Sequence, residues 1–436
     1  YGQKLKANIL QYILIPCIQY CCENNQHVEL IGGQAQPDLD SDDNVISVFI
    51  NKVVDPNSTQ ISDSIRIFLL QLSSLFVQYA HDHIHDVNNK KQGIKLRRLM
   101  TFAWPCIHNT KTCVDPFNKY HGHLLLSYII SKFAIHKKIV QQVFHSLLKA
   151  HAPEAKIVVR QALEILTPSF PTRTEDGYMT LASYTKKILI EDYNVIPQLA
   201  HMLYIIVKYH KVYYLIRHLL INPMISSFQK VGLSANAQPE NRQLAIDLTE
   251  VILRWEVQRV RDVEIYNSND TGPYLEQKQQ LDSLLTKHPD MLKSFDKNVA
   301  DCLLNFFIRT ACPINDPMQQ QQQQQQQAQS SQQQMHTSQS EALSKRCFYL
   351  FQMAISNETW PYADIKYDYL DKILTSLETT TSATANNASL PQPNYSSICT
   401  CIEMITFLVD SSCGSKVKIQ NIFRNCLLYT SPSPRD

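Results

Sequence analysis

Glycine is scarce in this chain of 436 residues, with 9 in all: Gly2, Gly32, Gly33, Gly93, Gly122, Gly177, Gly232, Gly272 and Gly414. None are grouped as a phosphate-cradling loop requires, so dinucleotide-binding and P-loop chemistries are set aside. Long hydrophobic runs are missing too: residues 124–130 and 203–207 fall far short of the roughly 18 residues of a membrane span. No charge sign dominates, because 41 Lys and Arg face 39 Asp and Glu for a formal +2, so charge alone names neither a nucleic acid nor an acidic membrane as partner. The 12 cysteines show no regular spacing and no secretory signal precedes them, which reads as reduced thiols in an intracellular protein without disulfides. Strand signals are few: alternating β-branched runs bounded by Asn-Gly or Asp-Gly turns are absent, and only residues 45–54 are ambiguous.

Apolar side chains are present at helical spacing. With 44% hydrophobic and 18% charged residues, the chain has enough apolar side chain for a packed interior. Within residues 64–80, Ile65, Phe68, Leu69, Leu72, Phe76 and Tyr79 form one stripe of a helix with 3.6 residues per turn. Further helices are predicted over 119–133, 137–150, 153–166, 178–190, 195–209 and 212–221, with Pro153 at a first helical position and Pro168 as a stop. Over 239–262, Leu244, Leu248, Val251, Ile252 and Trp255 line one face and Arg242, Asp247, Glu250 and Arg254 the other, with Glu250 placed to pair with Arg254. The chain is therefore predicted to be all-α. Helix pairs recurring every 35 to 45 residues or roughly so favour a HEAT-like helical-repeat solenoid over a compact bundle, although no residue-level signature repeats.

Composition divides the array. Helical repeats are expected over residues 1–315, 341–378 and 395–425, separated by a Gln-rich insertion at 316–340 and a Thr, Ser, Ala, Asn and Pro linker at 379–394. The acidic stretch 34–44 reads as a further linker, and all three are expected to be disordered or mobile. The chain opens at Tyr1 inside an apolar pattern, which reads as a piece of something longer. Residues 426–436 leave the helical period and read as translated adapter sequence, a non-native tail.

Few residues invite a chemical role. His81, His83 and His85 in HDHIHD suggest a metal tract, but i and i+2 positions diverge on a helix, so an exposed helix end is the plainer reading. Cys106, His108 and Cys113, and Cys17, Cys21 and Cys22, are soft-ligand sets without the C-x-x-C pairs of a structural zinc site. Ser183 to Lys186 matches S-x-x-K without its companion motifs. No catalytic constellation, cofactor or metal is predicted. The densest basic cluster, Lys90, Lys91, Lys95, Arg97 and Arg98, runs into an apolar set that includes Leu99, Met100, Phe102 and Trp104. A basic rim beside a groove formed by Phe102 and Trp104 would suit an acidic, hydrophobic peptide; the plainer alternative is a solvated helix start.

The runs INKVVDP (50–56), KLRRLMTFAWPC (95–106), GHLLLSYIISKFAIHKKIVQQVFHSLLKAH (122–151) and LAIDLTEVILRWEVQRVRD (244–262) closely resemble the pseudokinase scaffolds of the phosphatidylinositol-3-kinase-related family, within their HEAT-repeat region. The resemblance covers about 50–407 with gaps at the linkers. It implies a non-catalytic scaffold segment of a nuclear transcription coactivator. The implied partners are subunits of SAGA-type and NuA4/Tip60-type histone acetyltransferase complexes and transcriptional activators, with no direct membrane contact and no specific nucleic acid. Read from the residues alone, an RNA-binding helical repeat protein, or a metallohydrolase using the His and Cys clusters, stays open as an alternative.

Overall fold

A computed structural model describes residues 2–35, 37, 42–58, 61–89, 92–108, 114–150, 153–191, 196–233, 238–268, 274–312, 330–356, 360, 369–370 and 395–410. Among the described residues there are helices and no strands. No described helix is long and apolar enough to cross a membrane. The chain divides into two compact units, Tyr1–Tyr213 and Tyr214–Asp436.

The first unit opens with α1 (Gln3–Ile9), a π turn (Leu10–Leu14) and α2 (Ile15–Glu23), joined through residues in helical conformation. Pro16 explains the wide turn: it has no N–H to donate to Tyr12, and its ring crowds that carbonyl. Then come α3 (His27–Ile31), α4 (Val45–Val48), a second π turn (Phe49–Val53) and α5 (Asp63–Tyr79). The repeat arrangement is built by α6 (Ile94–Ile107), α7 (Pro116–Lys132), α8 (Lys137–Leu148), α9 (Lys156–Arg173), α10 (Gly177–Ile190) and α11 (Ile196–Lys208). Helix α7 lies between α5 and α9, while α6 packs on α7, and α8 and α10 pack on α9. Each helix thus meets the next in sequence and the next but one, which is how stacked helix pairs share a core.

Helix α7 carries the centre of that core. From Tyr120 to Ile130 every residue is buried, so the helix is enclosed all round rather than along one stripe. Its start is fixed by charge at a helix N-terminus: the Asp115 side chain accepts from the Phe117 N–H at 2.9 Å, and Asp63, at the start of α5, accepts from the Asp115 N–H and the Asn118 amide, both at 2.8 Å. Gly122 allows α6 to come close, since a Cβ there would stand 3.0 Å from the Cβ of Cys106.

The boundary between the units falls in α12 (His210–Tyr214). The second unit contains α13 (Arg217–Gly232), α14 (Pro239–Asn267), α15 (Leu275–Lys287), α16 (Lys297–Ala311), α17 (Ser330–Ser356) and α18 (Tyr395–Asp410). Here the stacking is pair on pair: α13 with α14 and α16 with α17, then α13 on α16 and α14 on α17. This recurrence makes the all-α fold a helical-repeat array rather than a bundle. Ala245, Leu248, Ile252 and Trp255 bury the predicted face of α14. Its opposite face is used as well: Arg346 from α17 pairs with Asp247 at 2.7 Å and with Glu250, which also holds Arg254.

Several expectations are corrected. The ambiguous stretch 45–54 is helical, capped by Asn44, whose side chain accepts from the Ser47 N–H at 3.0 Å. Pro168 does not stop α9, which runs through it and Pro171 to Arg173; burial of Phe170 and Pro171, and Arg173 donating to the Ile130 and Ser131 carbonyls at 3.1 and 2.9 Å, hold the segment. The helix predicted over 212–221 is broken, because Arg217 turns back to donate to the Tyr214 carbonyl at 2.8 Å. Helix α17 begins at Ser330, inside the segment predicted as a Gln-rich linker, in keeping with the good helix propensity of glutamine. The glutamine run 319–327, most of 364–378, the linker 379–394 and the tail 426–436 lie outside the described residues.

Candidate functional site

The basic cluster becomes two different things on α6. At 100° per residue, Lys95, Leu99, Phe102 and Cys106 point inward, whereas Arg97, Thr101, Trp104 and His108 point outward. Lys95 is 2% exposed and its ammonium lies 3.4 Å from the His83 carbonyl. Arg98, half-buried, donates from Nε to the Val54 carbonyl at 2.7 Å, at the end of the π turn Phe49–Val53. Both cations therefore satisfy carbonyls where helical turns end, as cations at helix C-termini do. Phe102 is fully buried beneath Arg66, whose guanidinium carbon stands 5.4 Å from the ring centroid. Phe102 and Lys95 thus cannot line an open groove, and the groove suggested by their sequence neighbours is not formed from them. Arg97 is exposed, and Trp104 is half-buried with its ring edge-on to His108 at 5.0 Å. Lys90 and Lys91 lie outside the described residues.

The histidine tract also separates. His81–His83 forms a 3-10 turn, not an exposed helix end alone. His83 accepts at Nδ1 from the Asn44 amide at 2.8 Å, and Asn44 also donates to the Gly32 carbonyl at 3.2 Å. His85 is buried, donates or accepts at Nε2 with the Asn89 carbonyl at 2.9 Å, and packs edge-on with Phe133, as does His81. Burial lowers the pKa of His81 and His83, with Lys95 adding to the effect on His83. Among the described residues no group of three His, Cys, Asp or Glu side chains is placed to hold a metal ion. Cys17 is exposed and Cys22 buried, its thiol pushed up to about 11 by burial. Cys106 donates to the Phe102 carbonyl at 3.7 Å, and Cys113 lies outside the described residues. Ser183 and Lys186 both stand exposed on α10.

The second unit holds a buried polar cluster that sequence reading missed. Arg217, 1% exposed, stacks 4.1 Å over the Tyr214 ring and donates to the carbonyls of Tyr214 and Met291. Tyr214 donates to Asp262, which also accepts from Gln258 at 2.7 Å. Arg259 donates to buried Glu256 at 2.9 Å. Burial pushes the Tyr214 phenol well above its ordinary value and lowers that of Arg217. The residues come from α12, α13, α14 and the 3-10 turn Pro289–Leu292, so the cluster fixes how these elements meet. A single arginine within an apolar heptad carries no sequence mark of such a role.

These surfaces are helix faces and interior clasps in a repeat array, and the comparisons agree with that architecture. Residues 1–432 match the family model of the Tra1 HEAT repeat ring region. The chain belongs to the Tra1 HEAT-repeat-ring family. It is 43% identical over 435 residues to transcription-associated protein 1 of Drosophila melanogaster, covering 93% of this chain and 11% of that protein. It is 40% identical over 443 residues to the transformation/transcription domain-associated protein of Homo sapiens, covering 94% of this chain and again 11% of the relative. A more distant relative, 31% identical over 211 residues, is the SAGA complex/NuA4 acetyltransferase complex subunit TRA1 of Saccharomyces cerevisiae, with 48% of this chain and 5% of that protein covered. The chain thus spans about a tenth of the length of its Tra1 relatives, within their ring region.

Proposed function

We propose that this chain is a non-catalytic segment of the helical scaffold of a nuclear transcription coactivator, working within histone acetyltransferase complexes of the SAGA and NuA4 types. The match of residues 1–432 to the ring region carries the proposal, supported by the printed role of the yeast relative as a subunit of both complexes. The physical fit is direct: stacked helix pairs contact their neighbours and leave long helix faces free for other subunits. Its polar clusters serve helix ends and helix junctions: Arg98 closes a turn and Arg346 joins α17 to α14. Transcriptional activators are the further partners proposed, with the outward face of α6, Arg97 and Trp104 with the neighbouring Lys90 and Lys91, as the candidate contact for an acidic, apolar activation segment.

The test is affinity purification of the full-length protein containing this segment from nuclear extract, followed by mass spectrometry and a histone acetylation assay. Recovery of an acetyltransferase subunit with activity is the expected result. A full-length protein that purifies without any acetyltransferase would overturn the proposal.

A further inference from the structure

The α1–α2 rod is apolar on two opposite faces, and only one of them is occupied. Ala7, Ile18 and Cys22 are buried, and the rod packs on α5 along that side. On the other side Leu5, Ile9, Tyr12, Ile13, Pro16 and Tyr20 fall within an arc of about 100° at helical spacing. All are exposed: Leu5 46%, Tyr12 69%, Ile13 60% and Tyr20 63%. No charged side chain interrupts this stripe. Lys4 and Lys6 flank its first turn, and Gln11, Gln19 and Glu23 border the remainder. The π turn Leu10–Leu14 buries none of its residues, so its extra residue serves the outward side.

We propose that this stripe is the seat of an amphipathic helix from an adjoining repeat of the same polypeptide. A helix apolar all round is one that is buried on both sides, and a row of six aliphatic, aromatic and proline side chains is the surface a neighbouring repeat covers. The ring-region relatives are far longer than this chain, which covers 11% of each of the two metazoan proteins compared, so further repeats of one polypeptide are the natural neighbours. An intramolecular helix also binds at high effective concentration, which suits a stripe with few polar groups to specify a separate partner. Lys4 and Lys6 select an occupant with acidic side chains near that end. The proposal stands on the repeat fold and not on the acetyltransferase reading, so either can fail without the other.

The experiment places photoreactive benzoylphenylalanine at Tyr12 or at Tyr20 in the full-length protein, within its native assembly, with the exposed α10 position Lys186 as control. Aromatic replacement of a surface tyrosine leaves the packing side of the rod untouched. After irradiation, peptides crosslinked at Tyr12 and Tyr20 should map to one helical segment of the same polypeptide outside these 436 residues. Crosslinks to a different subunit, crosslinks confined to these residues, or yields no higher than at Lys186 would each overturn the proposal.

Discussion

Acid should loosen the first unit through two histidines on α7. His123 is fully buried: its Nδ1 donates to the Lys119 carbonyl at 2.7 Å, and its Nε2 accepts from the Ser146 hydroxyl at 2.9 Å. Both nitrogens are used by the neutral ring. Burial lowers its pKa from 6.5 to about 4, against the pull of the Lys119 carbonyl, which favours a proton. His121, also buried and beside Gln71 at 3.1 Å, is lowered by burial to about 4 as well. The unfolded chain therefore takes up protons below pH 6.5 that the folded chain refuses until about pH 4, so stability is full above 6.5 and falls as pH drops through that window. At 1.36 kcal/mol per pH unit, going from pH 7.5 to 5 costs about 2 kcal/mol per histidine, or ~4 for the pair. That is a large share of the 5–15 kcal/mol or so by which domains are stable. Urea unfolding followed by circular dichroism at fixed ionic strength, for the parent chain and for H123N and H121N, isolates this term, because the surface carboxylates common to all three cancel. The Asn variants should lose part of the acid sensitivity. Identical pH slopes in all three would refute the burial argument.

Three further outcomes follow from the packing. Gly232→Ala should destabilise by about 1–3 kcal/mol in urea unfolding, because a Cβ there would meet the Cβ of Ala245 at 2.5 Å where α13 crosses α14. Trp255→Ala should cost about 3–5 kcal/mol in the same assay, since the side chain is 2% exposed within α14. On α6 the basic residues should separate by role: Lys95→Glu should lower the urea midpoint, by placing an anion against the His83 carbonyl, while Arg97→Glu should leave helicity and midpoint unchanged. Titration of a labelled acidic activation peptide against Arg97→Glu should show about a two- to fivefold, salt-sensitive loss, the scale of an exposed ion pair.

Helical periodicity made most of the fold legible, because apolar spacing reports burial directly. The stripe Ile65, Leu69, Leu72 and Phe76 is buried as read, and Trp255 faces inward as predicted. Local rules failed where tertiary contacts outweighed them: Pro168 lies within α9 because Arg173 and Phe170 anchor the segment, and residues 45–54 turn helical under the Asn44 cap. The basic cluster was legible as composition and not as geometry. Lys95 and Arg97 are two residues apart, yet the helical turn sends one to the His83 carbonyl and the other to solvent. Arg217 was illegible for a related reason, as its partners Met291 and Tyr214 come from other elements and are backbone carbonyls, which leave no trace in side-chain pattern.

Electron cryo-microscopy of the native assembly, purified through the full-length protein, tests the central claim most directly. The account predicts that density for this segment shows α5, α7 and α9 side by side, and the α13–α14 pair stacked on α16–α17, within the ring of a particle that also holds an acetyltransferase subunit. Density that places these helices outside such a ring, or a particle that contains this segment and no acetyltransferase, would contradict it.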